Sequence, residues 1–312
     1  VDPKTGPCDT VGSSGNFLSL FMLSFQYVDS TSLPILFLFD RYYLSPTMGI
    51  ERVTTVIALA NQKGGVGKTT STVNLAHALV QRGQRVLTVD MDPQSSLTIY
   101  YGQNPRILEK QEATLYWALM KDRDMESLIL SNQNGSPDLI PASIFLSTAE
   151  PELTLLWDSA SVFHDKLLPV RERYDFILVD CPPSLTLLTV NALAAADIVL
   201  VPVKTDYLSV MGIPLILDTV EKIRKRLNTR LRVFGVLPTM YNARNIHDND
   251  CLAELKEILA SRIRLFEPIH RSTGFDRSSA MSKATLDAFP DTPGVQVYHQ
   301  LAEELTAYGQ PQ

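Results

Sequence analysis

A glycine-rich segment, QKGGVGKTT from Gln62 to Thr70, has the composition of a loop that binds phosphate. Glycine tolerates the backbone angles that turn successive N–H groups toward one anion. The common form of such loops has a glycine, four residues and then Gly-Lys-Ser/Thr. Here Gln62 occupies the position of the first glycine, and a second lysine, Lys63, follows it. The segment is therefore either a weak match or a variant loop with chemistry of its own.

The residues around the glycines predict the chemistry of a nucleoside triphosphate site. Lys68 can reach the β and γ phosphates, and the hydroxyl of Thr69 can ligate Mg²⁺. Asp180 follows four apolar residues in DFILVD, a pattern typical of an aspartate that holds Mg²⁺ directly or through water. We therefore predict ATP and Mg²⁺ as cofactors. The predicted nucleotide-binding residues of the loop are Gly64, Gly65, Val66, Gly67, Lys68, Thr69 and Thr70.

The segments that must position these residues alternate between strands and helices. Apolar and β-branched runs predict strands at residues 53–60, 85–90, 175–180, 197–203 and 232–237, with a weaker one at 266–269. Helical spacing predicts helices near residues 69–83, 113–130, 185–195, 209–228, 250–262 and 294–307. Strands that are apolar throughout must be covered on both faces. We predict an α/β fold, a three-layer P-loop NTPase with a mostly parallel sheet between helices.

Three acidic residues fall at or just beyond the ends of predicted strands. Asp90 and Asp92 come after RVLTV, and Asp180 comes after FILV. Ligands of parallel sheets bind beyond the carboxyl ends of the strands, so these carboxylates should converge on the glycine loop. Asp90 has an alternative interpretation as a strand-end residue that caps the next turn.

Composition limits the classes of protein to which the chain can belong. The 312 residues carry a net charge of −6, so contact with nucleic acid would have to come from a local basic patch. The three cysteines, Cys8, Cys181 and Cys251, are far apart in the sequence. Such spacing argues against a disulfide scaffold or a cysteine-based metal site and fits a reducing cytosol.

Residues 1–47 differ in composition from the rest of the chain. They are apolar and aromatic, but Asp29 and Pro34 divide them into halves that are shorter than the roughly 20 residues of a membrane span. Met48 begins a segment that resembles the natural start of a protein chain. We expect residues 1–47 to be a disordered or spurious extension and 48–312 to be one ATPase domain. The alternative is a membrane-associating segment.

Four segments together resemble the ParA/MinD family of ATPases, and within it the ParA/Soj branch. KGGVGKTT is similar to the deviant Walker A loop of that family, and VDMDPQSS at 89–96 is similar to its switch I segment. DFILVDCPPSL at 175–185 resembles the Walker B and switch II segment. LPTMYNARN at 237–245 resembles the stretch that carries nucleotide-base and DNA contacts in the partition branch.

The resemblance implies a role for individual residues of the loop and its surroundings. Lys63 would cross a sandwich dimer to the phosphates bound by the other subunit, whereas outside this motif it would be a solvated loop lysine. Asp92 would orient or activate the attacking water, so the implied catalytic residues are Lys63, Lys68 and Asp92. Thr69 and Asp180 would support Mg²⁺, with Asp90 acting through water. Asn242 matches the region near the adenine base.

The resemblance also implies DNA contacts. Arg244 matches the position of a DNA-contacting arginine of the family. Arg271 also matches the family pattern, although the rest of its segment, 269–285, departs from it. Arg277 and Lys283 are candidates for a second contact there. The basic segment EKIRKRLNTRLR at 221–232 is either a solvated helix face or part of a phosphate-contacting patch. Its candidate residues for DNA binding are Arg224 and Lys225.

These implied roles combine into one expected function. The ATP-bound homodimer would bind DNA without sequence preference, and a ParB-like adaptor would stimulate hydrolysis and release the dimer. The protein would be cytoplasmic and nucleoid-associated, with no membrane partner, because VYHQLAEELTAYGQPQ lacks the basic helix of MinD-type proteins. Two alternatives remain open, a membrane-associated spatial regulator of the MinD class and a metabolic P-loop enzyme such as a synthetase.

Overall fold

The computed structural model describes residues 54–131, 135–260 and 262–308. The extension predicted at residues 1–47 and its membrane-associating alternative lie outside these residues. Among the helices that are described, none combines the length and the hydrophobicity of a membrane span.

The centre of the fold is a parallel sheet. Its order is β3-β2-β4-β1-β5-β6, and each neighbouring pair runs parallel. The strands are β1 Thr55–Leu59, β2 Val86–Asp90, β3 Asp138–Ile140, β4 Phe176–Asp180, β5 Ile198–Lys204 and β6 Arg232–Thr239. The central strands are buried on both faces, which is why their sequences are apolar without alternation.

Helices cover both faces of this sheet, as the sequence predicted. Alternate residues of β1 belong to different cores, Val56 and Ala58 to one and Ile57 and Leu59 to the other. On the first face lie α4 Leu115–Met120, α5 Leu146–Leu153, α6 Val162–Arg171, α7 Leu187–Ala195, α9 Ile213–Arg226 and α10 Ile246–Leu259. On the second face lie α1 Lys68–Gln81, α2 Ser96–Tyr100, α12 Thr285–Ala288 and α13 Val295–Tyr308. The remaining helices are α3 Pro105–Lys110, α8 Tyr207–Met211 and α11 Thr273–Ala280, and a 3₁₀ turn spans Met125–Leu128.

Several predicted elements differ from the structure. The strand predicted at 266–269 is wrong, because this segment only runs beside β6, where Phe266 N and Ile269 N donate to backbone carbonyls of β6. Pro268 lacks an N–H group and interrupts the pairing. The helix predicted at 209–228 is divided into α8 and α9, and the one at 113–130 into α4 and the 3₁₀ turn. The short edge strand β3 was not predicted.

The strand order brings the carboxyl ends of β1, β2 and β4 together. Asp90 and Asp180 are register partners at the ends of β2 and β4. The glycine loop continues from β1, which lies on the other side of β4. The fold therefore places the loop and the carboxylates at one edge of the sheet.

Candidate nucleotide-binding site

The glycine loop joins β1 to α1 in a conformation that requires glycine at two positions. Gly65 has φ +67° and Gly67, the residue that caps α1, has φ +82°. Both values lie in the left-handed region that L-residues with side chains rarely adopt. Thr239 Oγ1 at the end of β6 donates a 2.9 Å hydrogen bond to Val66 O. The loop is thus fixed both by its own backbone and by a neighbouring strand.

Lys68 lies buried at the start of α1, next to the loop backbone. Its Nζ donates to Lys63 O at 3.3 Å. Burial lowers the pKa of Lys68, and the neighbouring carboxylates of Asp180 and Asp92 oppose this shift. A buried ammonium group whose charge is only partly neutralised by its neighbours binds an anion strongly.

Thr69 and Asp180 form the part of the site that suits Mg²⁺. Thr69 Oγ1 donates to Asp180 Oδ2 at 2.6 Å, and Thr72 Oγ1 lies 3.5 Å from Asp180 Oδ1. Burial, followed by the neighbouring charge of Asp90, raises the pKa of Asp180 to about 8. Hydroxyl and carboxylate oxygens are hard ligands, and Mg²⁺ is usually held by one or two carboxylates together with substrate phosphates and water.

A metal at this position would depend on the nucleotide. No cluster of three or more His, Cys, Asp or Glu side chains that could hold a metal ion occurs in the part of the chain that the structure describes. Thr69 and Asp180 supply one hydroxyl and one carboxylate, a ligand set that fits Mg²⁺ bound together with phosphates and water.

Asp90 is occupied by the segment that follows β2. Its Oδ2 accepts hydrogen bonds from Thr98 N at 2.8 Å and Thr98 Oγ1 at 2.6 Å, and its Oδ1 accepts one from Asp92 N at 3.2 Å. Burial raises the pKa of Asp90 to about 7. These contacts favour the capping interpretation of Asp90, since both oxygens are used to fix the segment that carries Asp92.

Asp92 faces the same cavity as the glycine loop. Its Oδ1 accepts a hydrogen bond from Gln94 N at 2.9 Å. Burial raises the pKa of Asp92, against the opposing effects of that hydrogen bond and of Lys68. The cavity has a volume of about 470 Å³ and is lined by Gly64, Gly65, Gly67, Lys68, Thr69, Thr70, Asp92, Ser96, Ile99, Tyr100, Pro183, Met240 and Ser279.

A second cavity of about 300 Å³ adjoins the first, because both contact Gly67, Thr70, Met240 and Ser279. Its apolar and aromatic wall includes Met240, Ile269, Phe275 and Tyr298. Such a wall beside a phosphate-type loop suits a flat heterocycle. The sequence did not identify these residues, because three distant segments supply them.

Asn242 is not among the residues that line either cavity. Its Oδ1 accepts a hydrogen bond from Arg244 N at 3.1 Å, and its own N–H donates to Asp248 Oδ2 at 2.8 Å. These contacts fix the turn after β6. The base-side role of Asn242 stays a prediction that this geometry does not support.

The residues predicted to contact DNA lie in different surroundings. Arg224 forms a double hydrogen bond with Glu221, and Lys225 pairs with the same carboxylate. The guanidinium of Arg277 lies 4.5 Å from the centre of the Phe289 ring. Arg271 lines the second cavity. The side chain of Arg244 is exposed and has no partner among the described residues.

The raised pKa values of the buried Asp180 and Asp90 predict how stability depends on pH. A carboxyl whose pKa is higher in the folded protein than in the unfolded chain stabilises the fold at low pH, and this contribution is lost as pH rises toward the folded-state value. For Asp180 that window extends from 3.8 to about 8. We expect the free energy of unfolding of the nucleotide-free protein to fall steadily as the pH rises from about 5 to about 8, because both carboxyl groups lose their protons over this range.

Urea denaturation at a series of pH values measures this effect. Asp180→Asn removes one titrating group and should flatten the dependence. A free energy of unfolding that is constant or rises with pH in the unmodified protein would contradict the assignment.

Comparison with known proteins places this geometry in a family. Residues 54–233 match the family described as an AAA domain. The chain is 37% identical over 256 residues to the chromosome-partitioning ATPase Soj of Thermus thermophilus, covering 80% of this chain and 95% of that protein.

Two of the solved structures that share the fold contain a bound nucleotide. One is cobyrinic acid a,c-diamide synthase from Mycobacterium smegmatis with a bound ATP analog and magnesium (TM-score 0.69, 32% identity, 82% of this chain and 96% of that chain). The other is the complex of a variant of Cyanothece McdA with ATP (TM-score 0.74, 25% identity, 83% of this chain and 99% of that chain).

Proposed function

Because the chain belongs to the Soj/ParA family of partition ATPases, we propose that it hydrolyses ATP in order to position DNA or another large cargo. The observation that carries the proposal is the contact between Thr69 and Asp180 at the base of the glycine loop, in one cavity with Lys68 and Asp92. This arrangement joins the groups for binding phosphate, for holding Mg²⁺ and for orienting water.

The chain uses ATP with Mg²⁺, and its own residues divide the work of the reaction. The loop N–H groups and Lys68 bind the phosphates, and Thr69 and Asp180 hold the metal, which neutralises charge on the phosphates when bound. Asp92 orients the attacking water. The apolar wall of the second cavity takes the base, in place of the role expected for Asn242.

Lys63 completes the site of a second subunit in an ATP-bound sandwich dimer. Its side chain is partly exposed on the glycine loop, whereas Lys68 of the same loop is buried. A lysine supplied by the partner makes the positive charge around the γ phosphate conditional on dimerisation. The ATPase would therefore turn over only as a dimer.

The proposed partners are nonspecific DNA and a ParB-like adaptor that stimulates hydrolysis and so releases the dimer from the nucleoid. Arg244 is the leading DNA contact because it is exposed and free of partners within the described ranges. Arg271 and Arg277 belong to the segment beside the second cavity, so they are secondary candidates. The proposed ATPase domain spans residues 48–312.

Two substitutions distinguish between the candidate DNA contacts. Arg244→Ala should weaken ATP-dependent DNA binding about tenfold and reduce the salt dependence by about one released counterion. Arg224→Ala should change the affinity less than about twofold, because Arg224 is already paired with Glu221 on the same helix. Fluorescence anisotropy of labelled DNA at several salt concentrations measures both effects. Equal losses in the two variants would contradict this ranking.

Similarity to the diamide synthase favours a second candidate function, that of a metabolic P-loop synthetase with the same loop. Co-sedimentation of the full chain distinguishes it from a partition ATPase. We expect DNA to retain the protein with ATP and to release it with ADP, while vesicles of anionic phospholipid retain none. Retention on vesicles alone would support the MinD-like alternative, and retention on neither would favour the synthetase.

A further inference from the structure

The exposed lysine of the glycine loop is bound within its own subunit. Lys63 Nζ lies 2.6 Å from Asp206 Oδ1, and Lys204 Nζ lies 3.3 Å from Asp206 Oδ2. Asp206 also precedes α8, where its Oδ1 accepts a hydrogen bond from Ser209 N at 3.0 Å. One carboxylate therefore serves as a helix cap and as the counter-ion of the lysine.

The charge of Asp206 persists at physiological pH. Burial alone would raise its pKa, but hydrogen bonds from Lys63, Ser209 and Lys204 outweigh burial and lower the pKa to about 2. The side chains of Lys63 and Asp206 remain 36% and 25% exposed. Partly exposed ion pairs are weak and are screened by salt, so a ligand with several negative charges can compete for Lys63.

We propose that Asp206 is a positioning residue that holds Lys63 within its own subunit until the triphosphate bound by a second subunit takes Lys63 over. The proposal rests on the function proposed above, in which Lys63 acts across the dimer. An isolated subunit keeps Lys63 paired, so its loop does not present a free cation. Dimerisation around ATP exchanges one anionic partner of Lys63 for another.

The same segment is connected to the loop that carries Arg244. Thr205, the residue before Asp206, donates through Oγ1 to Asp248 Oδ2 at 3.1 Å. Asp248 also accepts hydrogen bonds from Asn242 N at 2.8 Å and from Asn245 Nδ2 at 2.7 Å. If Asp206 moves when Lys63 is released, Thr205 would move with it. Asp248 would then transmit the movement to the loop that carries Arg244, which is proposed to contact DNA.

Asp206→Asn tests the proposal without removing the helix cap, because asparagine caps helices about as well as aspartate. The variant lacks the charge that holds Lys63. We expect hydrolysis without adaptor to rise about two- to fivefold at low salt, which is the range expected from loss of one exposed ion pair. The ATP concentration for half-maximal dimerisation should fall by a similar factor. Both differences from the unmodified protein should shrink as salt is added.

Two further variants separate the possible outcomes. Asp218→Asn breaks an ion pair of the same kind with Lys222 on α9 and should leave hydrolysis unchanged. In a Lys63→Ala background, Asp206→Asn should leave the ATP concentration for half-maximal dimerisation unchanged, because there is no Lys63 to release. Suppose that Asp206→Asn folds normally but hydrolyses ATP at the unmodified rate or more slowly, while Lys63→Ala abolishes hydrolysis. Asp206 then does not hold Lys63 back, but the proposed action of Lys63 across the dimer is unaffected. If Lys63→Ala hydrolyses ATP normally, the proposed function of Lys63 itself is wrong.

Discussion

Lys63→Ala should bind ATP as the unmodified protein does and should hydrolyse it at least about a hundredfold more slowly. The reason is that the phosphates of each site are bound by the loop N–H groups and Lys68 of one subunit. Lys63 adds positive charge at the phosphates of the other subunit's site, and it does so only in the dimer, where hydrolysis takes place. Binding of a fluorescent ATP analog and steady-state release of phosphate with DNA measure the two properties separately.

A matched control for this prediction is Lys222→Ala, which removes an exposed lysine from α9. We expect this variant to bind and hydrolyse ATP normally. Full hydrolysis by Lys63→Ala would show that Lys63 serves only its ion pair with Asp206 and takes no part in hydrolysis. Loss of ATP binding by the isolated Lys63→Ala subunit would instead show that Lys63 binds the phosphates of its own subunit.

Asp92→Asn should retain ATP and dimerise while its rate of hydrolysis falls by about two to four orders of magnitude. The amide oxygen of asparagine can still accept the hydrogen bond from Gln94 N, so the segment after β2 keeps its shape. The amide cannot orient or activate water as a carboxylate does. The variant should therefore stay on DNA after ATP is added, because release depends on hydrolysis.

The lifetime of the DNA complex is the measurement for Asp92→Asn. Dissociation after a chase with competitor DNA should be much slower than for the unmodified protein. Slow hydrolysis accompanied by rapid dissociation would indicate that Asp92 serves dimer formation. A normal rate of hydrolysis would remove Asp92 from the catalytic residues.

The parts of the fold that the sequence predicted are those with strong local patterns. Five of the six strands are continuous apolar runs, and α1 and α13 have regular helical spacing, so their positions follow from local sequence. The edge strand β3 has three residues, and α2 and α12 have five and four. Elements of that length carry too few residues to show a period, and tertiary packing determines them.

The candidate site divides in the same way. The residues of the glycine loop lie within one short segment, so the sequence alone identifies them. The apolar strand that precedes Asp180 identifies that residue in the same way. By contrast, Lys63 and Asp206 are 143 positions apart, and the wall of the second cavity joins residues 240, 269, 275 and 298. No local pattern indicates that such residues meet, because the strand order and the packing of α11 and α13 bring them together.

The charge pairing of the basic segment of α9 is encoded in the spacing of its residues. Glu221 precedes Arg224 by three residues and Lys225 by four, and Asp218 precedes Lys222 by four. These spacings place opposite charges side by side on a helix. The pairing of Arg224 and Lys225 seen in the structure therefore follows from the sequence, and it favours a solvated helix face over a DNA-binding patch.

An equal mixture of Lys63→Ala and Asp92→Asn subunits tests the central claim that Lys63 acts on the nucleotide of the partner subunit. Each variant alone should be nearly inactive. In the mixed dimer, the subunit with alanine at position 63 keeps its Asp92 and receives Lys63 from its partner, so one intact site forms. Random pairing of equivalent subunits should then restore about a quarter of the unmodified rate of phosphate release. A mixture that stays as inactive as its components would contradict the account, because it would show that Lys63 and Asp92 must belong to the same subunit.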